Sequence, residues 1–182
     1  MLSDPQRQYA GTALRTIQII VAALAAGVFA FIGVAIFLVA QNVKAAVPDP
    51  PILTYTSIAM AVAIVVSWLF VPSVVASGMK KAIIDGRSSD WGIVKSMPNA
   101  GELGVVVPLA VIYQTRTIIA AALLEGAAFF ATIAYLIEHQ PLALYVAVAL
   151  AFLILTQIPT VSRFESWLDS ESTSIEQMRQ MR

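Results

Sequence analysis

The sequence predicts an all-α, polytopic membrane protein whose four transmembrane helices form two similar hairpins. Of its 182 residues, 59% are hydrophobic and 12% are charged, and the mean hydropathy is +0.81. Soluble domains carry about 25% charged residues, and so few polar groups would not cover the surface of a soluble protein of this size. The hydrophobic residues are concentrated in four apolar runs, which cover residues 17–40, 53–75, 117–137 and 141–158.

Each apolar run is long enough to cross a bilayer. Crossing about 30 Å of hydrocarbon takes roughly 20 helical residues, with a range of about 17–25. The runs are apolar on all sides, which in a small protein indicates lipid as the surrounding medium, and lipid favours helices because it offers unpaired backbone groups no partner. A cleaved signal peptide is the alternative for residues 17–40, but this run exceeds the roughly 7–15-residue apolar core of a signal.

The basic residues predict the orientation of these helices. All of the 11 Lys and Arg residues except Lys44 fall in the N-terminal segment, the middle loop or the tail. Cytoplasmic segments of membrane proteins carry such an excess of Lys and Arg. We therefore expect both termini and the middle loop in the cytoplasm, and the loop 41–52 and the turn 138–140 on the outer side of the cell (inner) membrane.

The chain divides into two transmembrane hairpins, a cytoplasmic loop between them and a cytoplasmic tail. The loop contains a short apolar segment, residues 103–113, which includes Pro108 and is interpreted as interfacial or re-entrant. The tail has the spacing of an amphipathic helix, and positions on the membrane surface and in solvent are both open for it. In chain order, the hairpin, loop, hairpin and tail cover residues 1–76, 77–116, 117–161 and 162–182.

The two hairpins resemble each other as a parallel repeat. Several residues of the first span recur in the third, where Ala22, Ala23, Leu24, Gly27 and Phe31 align with Ala121, Ala122, Leu123, Gly126 and Phe130. The alternative is chance similarity between alanine-rich spans, since membrane composition is strongly biased. A parallel repeat differs from the inverted repeats that are common in transporters.

Glu125 is the one acidic or basic side chain near the middle of a predicted span. An ionised carboxylate there costs roughly 2.5–3.5 kcal/mol on insertion scales, so such groups usually have a function. Glu125 either faces a wet cavity and binds a proton or cation, or stays neutral and hydrogen-bonds a neighbouring helix. Its candidate polar partners are Ser67 and Gln157. Gln18 and Gln157, near the cytoplasmic ends of the first and fourth spans, are expected to bond to lipid headgroups or to each other.

Small residues predict close helix contacts near this carboxylate. Ala23 and Gly27 form one pair spaced by four residues, and Ala122 and Gly126 form another. Such pairs let two helix backbones approach closely in a membrane. They favour burial of Glu125 inside the bundle, and they leave its role open.

The residues around Glu125 also resemble a known family. Residues 116–137 have the sequence Ala122-Leu123-Leu124-Glu125-Gly126-Ala127-Ala128-Phe129-Phe130-Ala131 at their centre. This segment resembles the carboxylate-bearing helix of the ATP synthase proteolipid, subunit c, in which a mid-membrane acid carries the transported proton. The resemblance implies that role for Glu125. The whole chain resembles small four-span membrane proteins of planctomycete-type bacteria, a resemblance that implies no activity.

The residue types argue against several classes of protein. The chain has no cysteine and a single histidine, His139, whereas zinc takes three or four protein ligands. The sequence contains no hydrolase motif, phosphate-binding loop or dinucleotide-binding motif, which argues against an enzyme. The net charge is zero, so no basic field favours nucleic acid. We expect no cofactor and no bound metal.

Three functions remain open. The first is a non-catalytic structural or assembly component, whose partners are the lipid bilayer and either other membrane proteins or further copies of the chain. The second is translocation of a proton or cation through Glu125. The third is a module that binds anionic lipids through the basic middle loop.

Overall fold

The computed structural model describes residues 3–41, 50–85, 87 and 103–180. Within these ranges the chain forms five α-helices and no strand, which confirms the all-α fold class. In chain order the helices are α1 (Asp4–Gln41), α2 (Ile52–Ile84), α3 (Val106–Glu138), α4 (Pro141–Leu155) and α5 (Val161–Gln180).

Three of these helices are long and apolar enough to cross a membrane, namely α1, α2 and α3. α1 has 38 residues, which at 1.5 Å per residue extend over about 57 Å, whereas the hydrocarbon core measures about 30 Å. α4 is also apolar but has 15 residues and ends at Leu155, before the predicted end of the fourth span. A membrane protein is favoured by these lengths, while the fourth span and the hairpin repeat stay predictions.

The structure differs from the sequence interpretation around the middle loop. α2 continues to Ile84, so the first residues of the predicted loop are helical. The apolar segment 103–113 is mostly the first turns of α3 rather than a re-entrant segment, and it is largely buried. Pro108 is tolerated there because the N–H groups of a first helical turn have no intrahelical acceptor. Residues 86 and 88–102 of the predicted loop lie outside the described residues.

Contacts divide the chain into two compact units. Unit 1 comprises residues 1–18, 72–118 and 159–182, and unit 2 comprises residues 19–71 and 119–158. The two units differ in which side chains they bury, and each is described separately below.

Unit 1 has a core of large apolar side chains, as proteins in water do. Phe164, Leu168 and Ile175 of α5 are each at most 1% exposed. They pack with residues of α1, α2 and α3, among them Leu14, Ile83 and Leu109. The tail is therefore a helix, and its apolar face is covered by this core rather than by a membrane surface or by solvent. An ion pair joins α5 to α2, with 2.6 Å between Lys80 Nζ and the Glu171 carboxylate.

Unit 2 has the opposite arrangement. Small side chains fill most of its interior, including Ala25, Ala35, Ala121, Ala127, Ala128, Ala131, Ala134, Ala143, Ala147 and Ala151. The large apolar side chains that the described chain exposes lie in unit 2, with Val74 and Val161 as the exceptions. Among the described residues of unit 2, only Glu125 and Glu138 carry a charge. Small residues between helices and large apolar residues on the outside are the pattern that lipid favours.

Candidate functional site

Glu125 lies at the edge of the buried face of α3. Leu124 and Ala128 beside it are fully buried, whereas Glu125 itself is half-buried. Phe129, one turn further along, packs edge-to-face on Phe31 of α1, with ring centroids 5.3 Å apart. Because residues four apart share a helix face, Glu125 shares its face of α3 with Phe129, which contacts α1.

The predicted hydrogen-bond partners of Glu125 do not reach it. Within the described ranges, Glu125 forms neither a hydrogen bond nor an ion pair, and Ser67 makes no hydrogen bond either. Gln157 Nε2 instead lies 3.4 Å from the hydroxyl oxygen of its neighbour Thr156. The predicted bridge from Glu125 to Ser67 or Gln157 is therefore not the arrangement found in this chain.

Gln18 has a different role from the one predicted. Its side-chain nitrogen donates to the backbone carbonyl of Pro159 across 2.8 Å. This bond ties α1 to the connection between α4 and α5, so that Gln18 does not pair with Gln157. It lies wholly within unit 1.

The small residues predicted to pack helices together lie on the outside of unit 2. Ala23 and Gly27 of α1 and Ala122 and Gly126 of α3 are all exposed. A Cβ atom added at Gly27 or at Gly126 would meet nothing within 4 Å. Among the described residues these four positions therefore bring no two helices together, and their small faces are exposed.

The sequence interpretation missed Glu138, which forms the most specific polar contact of unit 2. This residue is 2% exposed and is the last residue of α3. One carboxylate oxygen accepts a hydrogen bond from the Leu53 N–H at 2.6 Å, and the other accepts from the Thr54 N–H at 2.7 Å. Glu138 thus joins the C-terminal end of α3 to the first turn of α2.

A physical reason explains why an acid lies there. The first N–H groups of a helix lack intrahelical acceptors and carry a partial positive charge, so a carboxylate is favourable beside them. Residues 50 and 51, which precede α2, are both proline, and neither can cap the helix with a side-chain oxygen. The absence of a capping side chain just before α2 was the sequence feature that indicated an acceptor for its first N–H groups from another part of the chain.

His139 has a backbone role in the same region. It adopts a φ of 54°, a left-handed conformation that commonly ends helices. Its N–H donates to the Tyr135 carbonyl at 2.8 Å, and α4 begins only two residues later, at Pro141. In the ranges that the structure describes, no three His, Cys, Asp or Glu side chains gather where they could hold a metal ion.

No protein-family model, curated protein or solved structure matches the chain. The resemblance of residues 116–137 to subunit c therefore stays a prediction. The site consists of a carboxyl on α3 that has no hydrogen-bond partner in the described ranges, two exposed small faces, and a carboxylate that caps α2.

We expect Glu138→Gln to lower the midpoint of thermal unfolding in detergent. A glutamine has one acceptor oxygen and no charge, so one N–H of the first turn of α2 loses its acceptor and the other loses a charge-assisted bond. Glu165→Gln is the matched control because Glu165 is an exposed acid on α5. Equal midpoints for the two variants would contradict the assigned role of Glu138.

Proposed function

We propose that the chain is a four-span membrane protein with both termini in the cytoplasm. The proposed spans are residues 17–40, 53–75, 117–137 and 141–158. The exposed apolar surface of unit 2 supports hydrocarbon around these segments, because in water a surface patch of more than several hundred Å² is unusual for a monomer. Most Lys and Arg residues lie in the chain segments that form unit 1. This distribution supports cytoplasmic termini.

The short turn between α3 and α4 supports a fourth span. Only His139 and Gln140 separate the two helices, and connections this short join antiparallel neighbours. α4 carries no charged residue, and its Phe152 packs on Phe29 of α1 with ring centroids 5.7 Å apart. The 15 residues of α4 cover about 22 Å, and residues 156–158 extend this length toward the inner side.

For its function we propose a non-catalytic component of a membrane complex, assembled either from copies of this chain or with other membrane proteins. One observation carries this proposal: the small faces at Ala23, Gly27, Ala122 and Gly126 are exposed instead of packing the helices of the chain itself. In lipid, helices associate through close backbone approach at such faces. An exposed small face therefore suits contact with a helix of another chain.

Translocation of a proton or cation through Glu125 is the second candidate. The half-buried carboxyl without a hydrogen-bond partner in the described ranges favours it, as does the likeness to subunit c. A rotor ring like that of subunit c is disfavoured, because the partner helix of that family carries glycine at every second position. Residues 58–71 of α2 contain no glycine. We therefore rank this function below assembly.

The assembly proposal predicts that Gly27→Leu with Gly126→Leu dissociates the complex while the chain stays folded. Both leucines point into open space within the chain, and leucine favours helix more than glycine does. We expect association in detergent to weaken by about tenfold or more, which corresponds to roughly 1.4 kcal/mol. Size-exclusion chromatography with light scattering, together with the proteins that co-purify, measures this change.

Val62→Leu is the control for this experiment, because Val62 is 60% exposed on α2 and lies outside both small faces. It should leave the mass of the complex unchanged. If the double leucine variant kept the mass and the co-purifying proteins of the original chain, the assembly proposal would be wrong.

The two candidate functions differ in what they predict for Glu125→Gln. Under the assembly proposal, proteoliposomes of the original chain and of the variant show the same proton flux as empty liposomes, followed with an enclosed pH-sensitive dye. Glu176→Gln, at an exposed position of α5, controls for loss of a negative charge. A flux that depends on Glu125 but not on Glu176 would instead establish proton handling, since glutamine keeps hydrogen bonding but carries no proton.

A further inference from the structure

We propose that Arg15, Arg116 and Arg163 together bind the phosphate groups of anionic phospholipids in the inner leaflet. We call these three residues the arginine cluster. The proposal depends on the membrane position inferred above, and it goes beyond that position by assigning a ligand class to three named side chains.

Ring contacts within unit 1 bring together the chain segments that carry Arg116 and Arg163. Tyr113 of α3 packs on Phe164 and Trp167 of α5, with ring centroids 4.8 and 5.0 Å away. Arg116 follows Tyr113 by one helical turn, and Arg163 is the residue before Phe164. These ring contacts therefore place the two arginines beside the same aromatic group.

The ionisation of Tyr113, which lies outside the proposed spans, reports the same neighbourhood. Burial raises the pKa of its hydroxyl, and the positive charges of Arg163 and Arg116 act in the opposite direction. Both guanidinium groups are thus close enough to one phenol to affect its charge.

Arg15 joins this region through Gln18. The Gln18 side chain is bonded to the carbonyl of Pro159, and Arg15 precedes Gln18 by about one helical turn on α1. On the other side of that bond, Arg163 follows Pro159 by four residues, within the first turn of α5. One hydrogen bond therefore links the chain segments that carry the two arginines.

The arginine cluster has no acidic partner among the described residues. All three side chains are exposed, and neither ion pair of the described chain includes them. The carboxylate nearest to Arg163 along α5 is Glu165, and residues two apart on a helix point away from each other. The positive charges are therefore available to an external anion.

Basic residues near the middle loop are placed differently. Lys80 is paired with Glu171 at 2.6 Å, and Arg87 with Asp85 at 2.9 Å. Their charges are partly compensated within the chain. The structure therefore favours the arginine cluster over these two loop-side residues as the place where an anionic lipid binds.

The location and chemistry of the cluster fit a lipid phosphate. Each arginine lies within five residues of the end of a proposed span. Tyrosine and tryptophan, here Tyr113 and Trp167, are enriched at the level of lipid headgroups. A guanidinium group binds phosphate through two parallel N–H donors, which gives this residue type geometric selectivity as well as charge.

The test uses the full chain in neutral detergent with equal amounts of phosphatidylglycerol and phosphatidylcholine. Native mass spectrometry counts the lipids retained by each variant. We expect the original chain to prefer phosphatidylglycerol, and the preference to fall by about fivefold for each arginine changed to glutamine at low salt. The preference should also weaken as salt rises, because exposed charges are screened.

Two controls keep the test decisive. Lys81→Gln removes an exposed charge on α2 that lies outside the cluster, and it should keep the preference. Changing all three arginines to lysine preserves the charges but not the paired N–H donors, so this variant should keep more of the preference than the triple glutamine variant and less than the original chain. A preference unaffected by the triple glutamine variant, or abolished by Lys81→Gln, would overturn the proposal.

The experiment also separates this proposal from others. If inorganic phosphate displaced phosphatidylglycerol from the cluster at similar concentration, the site would be one for soluble anions and the lipid assignment would be wrong. If the variants stayed in the membrane fraction but no lipid preference was seen, only this inference would fail. If the original chain itself were absent from the membrane fraction, the proposed function would fail first.

Discussion

The contrast between what the two units bury is the constraint on which the rest of this account depends. Unit 2 fills most of its interior with alanine and turns many of its isoleucine, valine, leucine and phenylalanine side chains outward. Burial in water would be favoured by about 25 cal/mol for each Å² of that apolar surface, so an aqueous chain would hold these side chains inside. Hydrocarbon removes this driving force and leaves close backbone packing to hold the helices together.

Unit 1 of the same chain buries large apolar side chains, as proteins in water do. Phe164, Leu168 and Ile175 of α5 are buried against α1, α2 and α3, and charged residues lie outside that core. A helix of 33 or 38 residues is about 50–57 Å long, so α1 and α2 are longer than the hydrocarbon thickness of about 30 Å. The polar ends of the long helices then need a covering of their own, and α5 supplies part of it.

The apolar runs predicted the helical fold and the long helices, since a continuous run has few structural alternatives. Details set by tertiary contact could not be predicted. An amphipathic helix such as α5 shows the same spacing whether lipid or protein covers its apolar face. Pro108 suggested a break, yet it lies in the first turn of α3, where proline is compatible with helix. Glu138 followed no motif, because its partners on α2 lie 84 and 85 residues away in sequence.

The candidate site was predicted in part. Glu125 was identified from the sequence because a charge in an apolar run is conspicuous, but its proposed partners belong to other contacts or to none in the described ranges. Ala23, Gly27, Ala122 and Gly126 were identified as packing residues, and their exposure could not be known before the helices were arranged. The arginine cluster depends on three separate segments, so no local pattern in the sequence indicated it.

The most direct test of the central claim is labelling of single cysteines with a membrane-impermeant maleimide, since the chain has no cysteine of its own. Useful positions are Val62→Cys, exposed in unit 2, Ser170→Cys, exposed in unit 1, and Gln41→Cys at the end of α1. We expect intact cells to label Gln41→Cys alone, broken membranes also to label Ser170→Cys, and Val62→Cys to react only after denaturation in detergent. Labelling of Val62→Cys in membranes as readily as Ser170→Cys would contradict hydrocarbon around unit 2.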